Sequence, residues 1–373
     1  MDLHPDQNFS LLMNNTVSEE LDRCSVRPSV TNLVLTVVLS IICAVAFFGN
    51  AAVLVTVACY RCLHSATYIL LVSLATADLL VSVFSMPWRI HQTVRNNHWC
   101  LGMELCAFWI WIDSFACCAS ITNLAAVGVE RFVAIKSPLR YHSLMNNGNG
   151  FRIVCFVWLY SIIWASLGNL NWSNPGNAVF KTTSICGKND PIYYTVVAIF
   201  AFYMPLLIVI LTYSYLTHIA RVHAKALQNL VSPEPCRPRS STLTRDRIAT
   251  FKREIKATKM IAGVVGAFFI CWFPFFVLVL KSLWSPSVIH PVIAEFNSVL
   301  FVTILPNLNS ALNPFIYIAF TRELRQAALR LLRRVQIAVL CKRDENANQL
   351  WARPIRSSNK ARAMSAKTVE CKL

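Results

Sequence analysis

The chain has 373 residues, 55% of them hydrophobic and 14% charged, with a mean hydropathy of +0.49 and a formal net charge of +17. A soluble domain of this length carries more charge and fewer apolar runs, so the composition excludes an ordinary soluble globular protein. Nucleic-acid binding is excluded as the purpose of the positive charge, because no soluble basic domain is present to carry it; membrane topology and attraction to anionic lipid account for it.

Residues 1–30 form a polar arm that holds the glycosylation sequons Asn8-Phe9-Ser10 and Asn14-Asn15-Thr16. Seven apolar runs follow: Leu33–Cys59, Tyr68–Ile90, Leu101–Ile135, Ile153–Leu170, Ile192–Leu216, Met260–Leu283 and Phe296–Phe320. Each is long enough for a membrane-spanning helix and too long for a barrel strand. The first begins at Leu33 without a basic flank and a small-residue cleavage site, so it is not read as a cleaved signal peptide. The prediction is an all-α membrane protein, a seven-helix bundle over 31–320 with a short amphipathic helix at 321–334 and a tail at 335–373. The third inner loop, 217–255, is rich in Pro, Ser and Arg; its centre, Ser232–Arg245, has no apolar periodicity. In 321–334, Leu324, Ala328 and Leu331 recur at helical spacing with arginines opposite, and the tail beyond Arg343 is polar and read as unstructured.

Basic residues crowd into 221–259 and 322–372, whereas the N-terminal arm sets Asp2, Asp6, Glu19, Glu20 and Asp22 against Arg23 and Arg27. The positive-inside rule puts the N-terminus outside and the C-terminus inside, and an odd number of spans agrees. Of the 14 cysteines, Cys24, Cys100, Cys106 and Cys186 fall on the outer side, where the oxidising compartment favours disulfides. The sequon Asn171-Trp172-Ser173 lies on that side too.

Several polar residues do not belong in a hydrocarbon layer. Asp113 and Arg131 share the third run, 131 − 113 = 18 positions apart. That spacing is about five helical turns, so the two lie on one face some ~27 Å apart. A charge within a span is costly and marks a functional site. Asp78 lies midway along the second run, and Asn50, Ser120, Asn309, Ser310 and Asn313 are also deep. A lone Asn or Ser in a span as often only bonds a neighbouring helix. An ionised Asp78 needs a cation or a proton, and these oxygens together suit a small monovalent cation. Pro205, Pro274, Pro306 and Pro314 interrupt spans and permit kinks.

The constellation resembles the rhodopsin-like (class A) G-protein-coupled receptors, of the biogenic-amine branch, over Val34–Arg334. The motifs that carry the resemblance are Gly49-Asn50, Leu74-Ala75-Thr76-Ala77-Asp78, Glu130-Arg131-Phe132, Trp158, Pro205 with Tyr213, Cys271-Trp272-Phe273-Pro274 and Asn313-Pro314-Phe315-Ile316-Tyr317, one set on each run in order. The resemblance implies a Cys106–Cys186 disulfide, with Cys24–Cys100 as an extra bridge. It implies that Arg131 is the inner switch, paired with Glu130 and, at rest, with Glu254. Ile121, Pro205 and Phe268 match the connector between ligand site and inner half; Tyr213 and Tyr317 match tyrosines that approach each other on activation. Asp78, Ser120, Asn309 and Asn313 match an allosteric sodium pocket, with Asp78 as the metal ligand. Leu139 and Arg131 match contacts to a heterotrimeric G protein. Receptor kinases, arrestin and membrane lipid are implied partners. Ser240, Ser241, Thr242 and Thr244 follow Arg237 and Arg239, a basic context that suits kinases, and Cys341 is placed for palmitoylation.

Asp113 matches the acid that binds the protonated amine, and a partly desolvated carboxylate beside aromatic rings suits a cation. The implied ligand site is Asp113, Cys117, Val197, Ala198, Ala201, Trp272, Phe275, Phe276 and Asn307, and Ser82–Trp88 resembles the outer second helix of dopamine- and adrenergic-type receptors. Catecholamine receptors carry serines where this chain has Val197, Ala198 and Ala201, which argues against a catechol. Ile304 and Asn307 stand where amine receptors place a tryptophan and a tyrosine; Asn307 is placed to hydrogen-bond Asp113. A retinal pigment is excluded, since Phe296–Phe320 holds no lysine. No inverted repeat speaks for a transporter. No nucleophile elbow, phosphate loop or metal-ligand cluster speaks for an enzyme. A constitutive or peptide-liganded receptor is the alternative.

Overall fold

A computed structural model of the chain describes residues 24, 27–168, 170, 172, 186–188, 190–231, 263, 266–285 and 296–351. Seven of its helices are long and apolar enough to cross a membrane. They are α1 (Val30–Cys59), α2 (Ala66–Val94), α3 (Met103–Lys136), α4 (Asn147–Leu167), α5 (Pro191–Val197, Ala198–Tyr203 and Met204–Val231 in continuous succession), α6 (Gly266–Trp284) and α7 (Ser298–Ile304 and Leu305–Phe320). A short helix, Pro138–Leu144, follows α3, and α8 (Arg322–Trp351) follows α7. The helix α8 runs 351 − 334 = 17 residues past the end predicted for it.

Helix starts follow local chemistry. Ser29 Oγ accepts from the Asn32 N–H at 3.2 Å, Asn146 Oδ1 from the Asn149 N–H at 2.8 Å, and Asp190 Oδ1 from the Tyr193 N–H at 3.0 Å, with Pro191 opening α5. Such residues satisfy donors that the first helical turn leaves unpaired.

The core of the bundle is mainly apolar but encloses several polar residues, and its outer surface is apolar as well. Asn50, Asp78, Asn123, Glu130 and Asn313 are 0% exposed, whereas Phe48, Phe156 and Ile270 are 69%, 63% and 63% exposed. That arrangement suits a lipid solvent, where apolar side chains lose nothing by facing outward and polar ones must find partners within. The helix α3 runs through the middle, against α2, α4 and α5, while α1 packs on α2 and α7. A Cβ on Gly49 of α1 would lie 2.9 Å from Pro314 Cγ of α7, so this crossing requires glycine.

Three spans contain a π-helical turn: Val81–Ser85 in α2, Ala198–Tyr203 in α5 and Ser298–Ile304 in α7. Each ends two residues before a proline: Pro87, Pro205 and Pro306. A proline has no N–H and its ring crowds the carbonyl four residues back. A wider turn there relieves the clash, and it shifts every later side chain around the helix.

Candidate functional site

A cavity of about 280 Å³ opens among α2, α3, α5, α6 and α7, beneath the short segment that carries Cys186. Its acid is Asp113 on α3. Ser85 Oγ of α2 donates to Asp113 Oδ1 at 2.5 Å, and Cys117 Sγ, one turn along α3, lies 3.9 Å from the same oxygen. Trp109, one turn the other way, donates from Nε1 to the Ser85 carbonyl at 3.2 Å and fixes α2 against α3. The aromatic wall is Trp109, Tyr194, Trp272, Phe275 and Phe276. Ile121, Phe268 and Trp272 reach the cavity from its deeper side, and Ile121 and Phe268 are both buried core residues. Phe268 lies 5.5 Å from Phe202 and 6.1 Å from Trp272, ring to ring, so these side chains join the cavity to the core beneath it.

Two cations share this cavity with Asp113. Arg89 on α2 rests 4.6 Å from the centroid of the Trp109 ring, a cation–π contact. Lys188 at the mouth lies 3.8 Å over the Tyr193 ring and donates to the carbonyls of Gly168 and Leu170. Burial brings its ammonium down to about 8, against the opposing pull of Asp190. The mouth is fixed by the Cys106–Cys186 bridge and by Asp190, which also accepts from the Trp172 N–H at 2.9 Å. Trp99 stacks on Trp109 at 5.3 Å behind it. A second bridge, Cys24–Cys100, ties the N-terminal arm to this end, and Asn96 Oδ1 accepts from the Ser29 N–H at 2.8 Å.

Of the residues singled out from sequence, Asp113, Cys117, Val197, Ala201, Trp272, Phe275, Phe276 and Asn307 line the cavity. Two expectations need correction. Ala198 is fully buried in the apolar core, because the π-helical turn that starts there re-aims this part of α5. Asn307 donates to the Thr303 carbonyl at 2.7 Å, one turn back on its own helix, and Ser85 takes the place at Asp113. Ser85, Arg89, Trp109, Tyr194 and Lys188 escaped the sequence reading. The signal for Arg89 was present: an arginine within an apolar run, one position beyond the segment Ser82–Trp88.

Midway down the bundle, Asp78 Oδ2 accepts from Asn313 Nδ2 at 2.7 Å and Oδ1 from Ser120 Oγ at 3.3 Å. The side-chain oxygens of Asn309 and Asn313 are buried without a donor. A carboxylate, a hydroxyl and spare amide oxygens fit a hard monovalent cation.

At the far end, Glu130 Oε1 accepts from Thr67 Oγ1 at 2.8 Å and from the Tyr141 hydroxyl. Arg131 Nη2 donates to the same Thr67 Oγ1 at 2.7 Å. Arg131 Nε lies 2.9 Å from Glu130 Oε2, but off line for a hydrogen bond, so that contact is an attraction of charges. Burial and the neighbouring Glu130 carboxylate hold the Tyr141 phenol above its ordinary value. Thr67 and Tyr141 were not foreseen. Pro205 is buried in α5, and Tyr317 is buried with its hydroxyl unpartnered. Glu254, Asn8, Asn14 and Ser240–Thr244, with the side chains of Tyr213, Leu139 and Cys341, lie outside the described residues.

Residues 49–317 match the family model for the 7 transmembrane receptor (rhodopsin family). The chain belongs to this rhodopsin family of receptors, which are membrane proteins of several spans and not enzymes. Among similar curated proteins, the rat alpha-1D adrenergic receptor is 30% identical over 334 residues, covering 82% of this chain and 57% of the relative. The pig alpha-1D adrenergic receptor is 32% identical over 316 residues, covering 76% and 54%. The human alpha-1A adrenergic receptor is 28% identical over 361 residues, covering 89% and 75%. The chain thus spans little more than half the length of the alpha-1D relatives.

Proposed function

We propose that this chain is a plasma-membrane receptor that takes a small cationic amine from outside the cell and activates a heterotrimeric G protein within. The observation that carries the reading is Asp113, a carboxylate in an aromatic-walled cavity whose hydrogen-bond donors, among the described residues, are one serine hydroxyl and one thiol. An ammonium there gains a charge-assisted hydrogen bond and aromatic faces at once. The similarity to adrenergic receptors supports an amine. Val197 and Ala201 offer no hydroxyl, so a catechol ring would leave its polar groups unpaired on this wall.

The charge asymmetry of the chain supports an outer N-terminus. Ligand on the cavity floor presses on Trp272, Phe268 and Ile121, and the response is an outward swing of α6 that releases Arg131 from Glu130. Coupling requires only that ligand bind the released state more tightly. Sodium beside Asp78 favours the resting state. Receptor kinases and arrestin act on the inner surface.

The test is second-messenger output, cyclic AMP and calcium, in cells expressing the chain against a biogenic-amine panel, beside Asp113→Ala. A response lost in the variant at equal surface expression is the expected result. No amine response, with basal signalling unchanged in Asp113→Ala, refutes the amine and leaves a constitutive or peptide-liganded receptor.

A further inference from the structure

We propose that the cavity is built for a small aromatic zwitterion, its ammonium held by Asp113 and its carboxylate by Arg89. The inference rests on the amine reading of Asp113 and adds a second charged subsite to it.

Two placements locate Arg89. It lies four residues beyond Ser85 on α2, one helical turn (~5.4 Å) nearer the disulfide end. Ser85 is the residue whose hydroxyl reaches Asp113. Trp109 lies four residues before Asp113 on α3, one turn toward the same end, and the Arg89 guanidinium sits on its ring. The guanidinium therefore stands about one turn above the carboxylate on the cavity wall.

Arg89 is held, and Asp113 acts on its charge only from beyond ion-pair distance. A guanidinium carries five N–H donors. Its one hydrogen bond among the described residues is a long contact of 3.5 Å from Nη1 to Gln92 Oε1. Among the described residues no carboxylate, Asp113 included, lies within ion-pair distance of it. The cation–π contact with Trp109 uses the charge of the guanidinium and leaves N–H donors for a carboxylate in a two-pronged contact.

Charge balance points the same way. Lys188 is offset by Asp190 beside it, so the remaining charges of the cavity, Arg89 and Asp113, sum to zero. A simple monoamine would claim Asp113, whose charge also acts on Arg89, and leave the guanidinium without a counter-ion. A ligand that carries its own carboxylate supplies that counter-ion. The one-turn offset suits a compact ligand whose ammonium and carboxylate stand a few bonds apart, as in an α- or β-amino acid. The cavity of about 280 Å³ and its Tyr194, Phe275 and Phe276 walls suit an aromatic ring as the remainder.

The test uses pairs that differ only by the carboxylate: tryptophan and tryptamine, tyrosine and tyramine, phenylalanine and phenethylamine, histidine and histamine. Each is applied to the full-length receptor in amino-acid-free buffer, with G-protein activation and thermal stabilisation of the purified receptor as readouts. For at least one pair the carboxylated member should act at about tenfold to a hundredfold lower concentration, the usual worth of a hydrogen-bonded charge. Arg89→Gln should abolish or reverse that preference, Arg89→Lys should keep part of it, and Asp113→Asn should weaken both members. Decarboxylated amines that act as well or better on the unaltered receptor, or a preference that survives Arg89→Gln, overturn the carboxylate subsite and leave the amine reading standing. Silence from every compound in both readouts overturns the amine reading and this inference with it. Should Arg89→Gln fail to reach the surface, the preference of the unaltered receptor and its change in Arg89→Lys decide the matter.

Discussion

Removing the Tyr141 hydroxyl should raise ligand-independent signalling. The hydroxyl donates to Glu130 Oε1, the oxygen that Thr67 also serves, and Glu130 in turn holds the charge of Arg131. Tyr141→Phe keeps the ring and deletes one hydrogen bond to a carboxylate, worth about 1.5–3 kcal/mol when buried. Tyr141 is half-buried, which puts the loss near the lower figure, about 1.5 kcal/mol. If the bond exists only while Arg131 is held, the resting state alone loses that amount, and the equilibrium moves about tenfold toward release. A receptor that is about 1% active without ligand would become about 10% active. Because the phenol is held above its ordinary value, the donor is protonated at any pH a cell tolerates, and the effect should not depend on assay pH. The measurement is nucleotide exchange on a panel of purified heterotrimers, without ligand and per receptor. Exchange unchanged within about twofold would mean that Tyr141 holds Glu130 equally in both states, and the reasoning would fail.

Gly49→Ala places a methyl 2.9 Å from Pro314 Cγ and should lower stability by about 1–3 kcal/mol, read as a lower melting temperature in detergent; an unchanged value would show that α1 and α7 part without cost. Asp78→Asn should erase the extra thermal stability given by sodium chloride over choline chloride; an equal sodium effect in both proteins would place the cation elsewhere. Lys188 titrates at about 8 in the fold against 10.5 ordinarily, so between those values the unfolded chain binds more protons and folding gains as pH rises. The stability of the unaltered receptor relative to Lys188→Met should therefore grow from pH 8 to pH 10.5, and a flat difference would mean that the ammonium is not buried at the mouth.

The spans were legible because hydrocarbon imposes long apolar runs that no soluble core needs, and the main wall of the cavity because Asp113 and Trp272 are costly or bulky where they stand. The residues that were missed share a cause. Ser85, Thr67 and Tyr141 are ordinary in type and matter only through a partner 28, 63 or 11 positions away. Ala198 was assigned by matching positions along the fifth run to those of catecholamine receptors, and a π-helical turn begins at that residue. Arg89 passed as one arginine near the end of an apolar run, while α2 continues past it to Val94 and sets the half-buried residue against Trp109.

The wide turns before Pro87, Pro205 and Pro306 make chain length a determinant of specificity. Each holds one residue more than a regular turn, so the mouth-side stretches of α2, α5 and α7 are indexed one position out of step with their inner halves. Deleting a single residue between Val81 and Ser85 would close the first of them and rotate one half of α2 against the other by about 100°. Asp78 and Arg89 could not then both keep their present directions. A sequence alignment that lacks a gap at these three places will assign cavity positions to the wrong residues in any relative whose turn is regular.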